Sequence, residues 1–200
     1  MTHPIEEESY RRLHALVDLS HLSAGKQAVV ARVIHATADL EFARTLDMTE
    51  SAVEAGVAAL AAGAPVVVDV EMVRAGLVGL EARCYLGEAR AAPPALPTLS
   101  ARAMQLAAQH HPEGAVFVVG CAPTALEELI NLVEAGRVRP ALVIGVPVGF
   151  VGAAEAKEHL RRTEGLPAIS NVGERGGSAV AAAIVNALRR LVGEETEELL

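Results

Sequence analysis

The side chains best suited to acid–base chemistry lie in the stretch RVIHATADLEF, Arg32 to Phe42. His35 follows two branched aliphatics, with Arg32 three residues before it and Asp39 four residues after. The pattern places His35 near the C-terminus of a helix. The helix dipole there favours the imidazolium, while burial favours the neutral ring. A histidine held between those pulls can serve as a general acid or base near working pH. Taken alone, a single histidine is more often a structural residue, and Asp39 reads equally well as a cap or turn residue.

A second group is GERGGS, Gly173 to Ser178. Glycines permit close backbone approach, Ser178 can donate or cap, and Arg175 adds a cation. Gly176, Gly177 and Ser178 can thus offer donors to an anion at a helix N-terminus. A plain Gly-rich turn has the same composition. The lysine of GxxxxGK[ST] is missing, as is GxGxxG after the first strand, so neither nucleotide fingerprint is present. Asp69, Met72 and Thr124 each follow an apolar run of strand length. Cys121 stands between a strand and a helix, as a nucleophile could. No histidine or aspartate at diagnostic spacing completes a triad, and small buried cysteines are common. His110 and His111 form no ligand cluster with cysteines or carboxylates, so no metal site is expected.

These residues need elements to hold them. Tyr10, Leu13, Leu16 and Val17 recur at helical spacing, which predicts a helix over the first 22 residues. A second helix should begin at Ser23 and run to about His35, and a third should span Thr49 to Ala62 before Gly63. Strands are expected at 65–70, 115–120, 141–146 and 168–172, alternating with amphipathic helices. A helix ending at His110 and His111 precedes Pro112. Continuous apolar strands alternating with helices predict a three-layer α/β domain with a mainly parallel sheet. In such sheets ligands bind outside the carboxyl ends of the strands. Asp69 with Met72, Gly120 to Thr124, Pro147 to Gly149 and Asn171 to Ser178 all fall there. The Pro- and Ala-rich segment Glu88 to Thr98 reads as a surface loop inside one domain, 1–200, with an acidic tail from about 193.

The bulk numbers suit this. Two hundred residues, 52% of them hydrophobic, supply one full core, and its side chains are aliphatic, with no Trp. No apolar run approaches the roughly 18 residues of a membrane span. The acidic N-terminus lacks a signal peptide's basic start and apolar middle. Two cysteines make no disulfide framework, and a reduced cytoplasm is the expected compartment. A net charge of −8 disfavours nucleic acid and anionic membranes as partners.

Five motifs, RVIHATAD, VVVDVEMVRAGL, GCAPTALEEL, PVGFVGAAEAKEHL and GERGGSAVAAAIVNAL, together resemble the precorrin-8X methylmutase family, in the family's order and from about Glu8 to Leu191. The resemblance implies a flavodoxin-like fold, a homodimer, and a tetrapyrrole site near the subunit interface. It implies an isomerase of cobalamin biosynthesis that moves a methyl group from C-11 to C-12 of precorrin-8X, giving hydrogenobyrinate, or cobyrinate from the cobalt form. It places the catalytic histidine at His35. A 1,5-sigmatropic shift needs no nucleophile and no cofactor. It needs a proton donor aimed at a pyrrole-type nitrogen, in an apolar cavity at the strand ends. Arginines and helix N-termini would receive the substrate's carboxylates. On this reading Arg32, Asp39, Asp69, Met72, Thr124, Gly176, Gly177 and Ser178 are candidate substrate contacts. The chain departs from the family's pattern at Cys121, where Asn is usual, at Ala38, where Gly is common, and at Glu174-Arg175, where Arg-Lys is the tendency. Two other classes fit the residues less closely. One is a non-catalytic corrinoid carrier. The other is a flavin or nucleotide protein on the same fold, against which the scarcity of stacking aromatics counts.

Overall fold

The computed structural model describes residues 4–91 and 97–198, and the side chains of 194–198 are outside the description. The chain opens with three helices, α1 (Pro4–Leu16), α2 (Ala24–Thr37) and the single turn α3 (Phe42–Thr45), then enters β1 (Leu46–Met48). Next come α4 (Glu50–Ala61), β2 (Val66–Val68), α5 (Glu71–Gly76), β3 (Arg83–Cys84), α6 (Leu86–Ala91) and α7 (Leu99–His110). Three strand–helix units complete it: β4 (Val116–Val119) with α8 (Pro123–Glu134), β5 (Leu142–Gly145) with α9 (Ala153–Arg162), and β6 (Ala168–Asn171) with α10 (Ser178–Glu198).

The six strands form one sheet in the order β1-β6-β5-β4-β2-β3, parallel throughout except for β1. Without β1, the five parallel strands follow the flavodoxin-like order 2-1-3-4-5. Alternate residues feed two cores. Val66, Val68, Val116, Val118, Leu142, Ile144 and Ile169 face α2, α4 and α10. Val67, Phe117, Val119 and Val143 face α7, α8 and α9. Both faces are covered, which is why the strands read as unbroken apolar runs.

The four expected strands appear at their expected places, one to three residues shorter. Two edge strands were not foreseen: β1 has three residues and β3 two, too short to carry a period. Two helix boundaries need correction. The first helix ends at Leu16, not near residue 22, because Val17 and Leu19 leave the helix to pack into the core. Ser23 precedes α2 without a side-chain cap; its hydroxyl donates to Glu50 instead. Thr49 does cap α4, accepting from the Ala52 N–H at 3.1 Å. In the segment 88–98, the chain is helical to Ala91, and 92–96 lies outside the described residues. The acidic stretch from 193 continues α10 to Glu198.

Candidate active site at the carboxyl edge of the sheet

Leu46 of β1 pairs with Asn171 of β6, the last residue of its strand. The turn from α2 to β1 therefore lies at the carboxyl edge of the sheet, and His35 stands one turn from it. Ala38 ends α2 in the left-handed region, φ 54°, with its N–H bonded to Ile34 O. It is the only non-glycine residue with positive φ among those described. Where the family commonly has Gly, this chain holds an L-residue in a conformation that costs roughly 1 kcal/mol. The turn is fixed to the Gly-rich loop by Arg175 Nη1, which donates to Asp39 at 3.1 Å.

His35 packs between helices. Its Nδ1 lies 2.8 Å from Ser9 Oγ, and its ring stacks on Tyr10 with centroids 4.9 Å apart and planes inclined by 12°. With Nδ1 engaged, Nε2 is the nitrogen left to meet a ligand. Glu6 lies close by, bonded to Arg32 at 3.0 Å and Arg190 at 3.1 Å. The Arg190 hydrogen bond holds the Glu6 carboxyl below the ordinary glutamate range, and Arg32 and His35 add to the pull. Arg32 is thus ion-paired rather than free. With Tyr10, His14, Gln27 and Arg190 it borders a cleft of about 320 Å³ floored by alanines of α2 and α10. The cleft begins one turn before His35. The ring itself is held by α1, not by the apolar ends of the strands.

Asp69 is almost wholly buried and sits in the crevice between β2 and β4, where the strand order reverses. Doubly wound folds bind phosphates at such points. Here the carboxylate itself accepts from Gly120 N at 3.0 Å, Cys121 N at 2.8 Å and Ala122 N at 2.9 Å. Burial pushes the Asp69 carboxyl up, and the three N–H donors oppose that push by favouring the ionised form. The donors of the turn leading into α8 are therefore already satisfied, and an anionic side chain occupies the place of a nucleotide phosphate. Any effect of Asp69 on a ligand passes through the shape of this turn. Cys121 is exposed, and burial together with Asp69 pushes its thiol up, away from a nucleophile's thiolate.

The Gly-rich loop is built onto the loop after β5. Gly177 N–H donates to Val146 O at 2.8 Å, and Gly149 N–H to Glu174 O at 3.1 Å. The expectation that Gly177 offers its N–H to a ligand is corrected: that donor is spent inside the protein. Gly176 has φ 151°, and a Cβ there would lie 2.2 Å from Val146 O, so only glycine fits. Ser178 opens α10 and is nearly buried. Thr124 is exposed, accepts from Thr98 Oγ1 at 2.9 Å, and borders a pocket of about 350 Å³ with Pro123, Val151, Gly152 and Ala156. Met72 is 71% exposed, Phe150 96% and Val151 87%. With Val148 and Val172 they leave exposed apolar side chains, an apolar rim, on α5 and on the loops after β5 and β6.

The structure therefore groups His35 with Arg32 beside α1, Asp39 with the Gly-rich loop, and Thr124 and Met72 with the apolar rim. Sequence reasoning missed Ser9, Glu6 and Lys157. The first two meet His35 only through the packing of α1 on α2. Lys157 had a signal: Ala153, Ala156, Lys157 and Leu160 form one buried stripe at helical spacing, with a lysine inside it. Among the described residues, no three metal-ligating side chains cluster, and no helix is long and apolar enough to cross a membrane.

The family model Precorrin-8X methylmutase matches residues 4–191. A Precorrin-8X methylmutase of Pseudomonas aeruginosa is 42% identical over 195 residues, covering 92% of this chain and 93% of its own. A Cobalt-precorrin-8 methylmutase of Methanocaldococcus jannaschii is 37% identical, covering 85% and 81%. The crystal structure of the precorrin-8X methyl mutase from Thermus thermophilus superposes with a TM-score of 0.86 at 36% identity, covering 96% of each chain. The matched span holds the His35 cluster, the Asp69 crevice and the Gly-rich loop alike, and the chain belongs to the precorrin-8X methylmutase family.

Proposed function

We propose that this chain, an enzyme of the isomerase class in cobalamin biosynthesis, moves a methyl group from C-11 to C-12 of precorrin-8X or of its cobalt form. The observation that carries this is the presentation of His35. Ser9 engages Nδ1, Tyr10 supports the ring face, and Nε2 remains for the substrate. In a sigmatropic shift the migrating carbon leaves and arrives within one π system, so neither a nucleophile nor a cofactor is required. Protonating or hydrogen-bonding a pyrrole-type nitrogen through Nε2 would bias that system toward the product. The substrate's carboxylates would meet Ser178 and the start of α10, with Arg32, Asp39 and Asp69 shaping the site through their partners. Met72 and Thr124 would meet the ring's edge.

The test is a visible spectrum after incubation with precorrin-8X, and separately with cobalt-precorrin-8. Conversion to the hydrogenobyrinate or cobyrinate spectrum is expected in at least one arm, and that arm names the natural substrate. Binding without conversion in both would make the protein a corrinoid carrier.

The active form is a homodimer in a cytoplasmic setting. Clefts of about 320 and 350 Å³ lie at the low end of the range for drug-sized ligands, and a tetrapyrrole with its carboxylate arms is larger. A second copy over the apolar rim would enlarge the enclosure, burying on the order of 1,600 Å² or more in total. Sedimentation at micromolar concentration should give a dimer. A fully active monomer would refute that assembly.

A further inference from the structure

Lys157 lies on α9 with its side chain wholly buried, one of only two lysines in the chain. Its Nζ donates to Arg175 O at 2.5 Å and to Asn171 Oδ1 at 3.3 Å. Asn171 Nδ2 donates to the same Arg175 carbonyl at 2.8 Å and to Val172 O at 3.2 Å. The end of β6 and the Gly-rich loop are thus tied together from beneath by one ammonium and one amide. Around the loop, guanidinium groups and carboxylates are paired, with the carboxylates in excess by one. Arg175 is paired with Asp39, and Arg161 with Asp47 and Glu158. Glu174 adds a negative charge. Among the described residues Lys157 has no carboxylate within 4 Å, so its charge is the one behind this loop with no direct counter-ion.

The geometry points to Lys157 as a positioning residue for substrate binding: its buried ammonium fixes the loop Gly173 to Gly177 and offsets the excess of carboxylates around it, so that a substrate carboxylate can approach the loop. This rests on the reading that the loop faces the substrate. Burial holds the Lys157 ammonium down at about 8, with Arg161 pushing the same way and Glu174 against. A folded value below the ordinary lysine range means that the unfolded chain holds this proton more tightly. Stability linked to Lys157 is therefore reduced below pH 8 and recovers as pH rises above it. The charge is kept at a cost to the fold, as expected of a group retained for binding.

The experiment measures the Kd of the corrinoid product by spectral titration, and KM and kcat with precorrin-8X, for wild type and Lys157→Met from pH 6.5 to 9.5. Methionine keeps the volume and removes the charge and donors. At pH 7 the variant should bind product roughly tenfold more weakly or worse, with KM rising far more than kcat falls. Wild-type Kd should rise through pH 8 to 9, and that rise should be missing in Lys157→Met. The charged groups acting on Lys157 are Arg161 from its own helix and Glu174 from the loop, whose Arg175 carbonyl accepts from Nζ. The comparison with Lys157→Met assigns the rise, since a pH dependence arising from any other group would persist in the variant. Wild-type affinity in a folded Lys157→Met, or a flat wild-type profile, would overturn the proposal. Should Lys157→Met fail to fold, the wild-type profile and Lys157→Gln decide it alone. Glu174→Lys separates the two readings. Tighter product binding there with no effect of Lys157→Met sinks only the role of Lys157. Unchanged binding in both removes the loop from the substrate site.

Discussion

Replacing His35 by Ala should lower the single-turnover rate by roughly 10²–10⁴-fold, the usual contribution of a general acid, while product binding falls far less. The structure supports that asymmetry. The imidazole is one side chain beside an extended surface, and its Nδ1 bond to Ser9 makes Nε2 the only nitrogen through which it can act on a ligand. Its removal forfeits the stack on Tyr10, worth about 0.5–1.5 kcal/mol. At about 2–4 °C per kcal/mol for a chain of this length, the melting temperature should drop by only a few degrees. A purely structural histidine gives the reverse pattern: a large fall in melting temperature with turnover per folded molecule preserved. Both quantities can be read on one His35→Ala sample. Near-normal turnover there removes His35 from the mechanism.

The sequence exposes what is periodic and hides what depends on distant packing. Runs such as AVFVVG and ALVIGVPV announce β4 and β5 because both of their faces are buried. The strands β1 and β3 are two or three residues long at the sheet's edges, and nothing local marks them. The Gly-rich loop was visible as a site for close approach, and Gly176 indeed sits where a Cβ would strike Val146 O. Which of its donors stay free was not visible, since Gly177 N–H is taken by a carbonyl some 30 residues away. His35 was legible as the chemistry of the chain. Ser9, 26 residues earlier, was not, because only the packing of α1 against α2 brings its hydroxyl to Nδ1. Lys157 stands in the sequence on an apolar stripe, but a lysine in a helix is usually solvated, and only the packing of α9 shows it buried.

Asp69→Ala should be the most destabilising of these substitutions, lowering the melting temperature by roughly 10 °C. Aspartate at the end of β2 reads as a ligand contact by position alone. In the fold, its two oxygens accept from Gly120, Cys121 and Ala122, three successive backbone N–H groups at the turn into α8. The Gly120 end of that turn is tightly enclosed. A Cβ on Gly120 would lie 2.8 Å from Ala181 Cβ and 3.0 Å from Ser178 Cα, so α10 closes directly over it. Removing the carboxylate leaves the buried Gly120 donor and the half-buried Cys121 and Ala122 donors without their acceptor, at about 1–3 kcal/mol for each group left unsatisfied. A total of about 3–5 kcal/mol at about 2–4 °C per kcal/mol gives the stated fall. Asp69→Asn should recover only a minor part. Its single carbonyl oxygen can accept, but its amide nitrogen would face a backbone N–H with another donor. Because the same turn supports Thr124 and the start of α10, substrate affinity should fall together with stability. Ligand-induced stabilisation in the still-folded fraction should nonetheless persist. A variant with the wild-type melting temperature and a specific loss of corrinoid binding would instead make the Asp69 carboxylate a direct substrate contact.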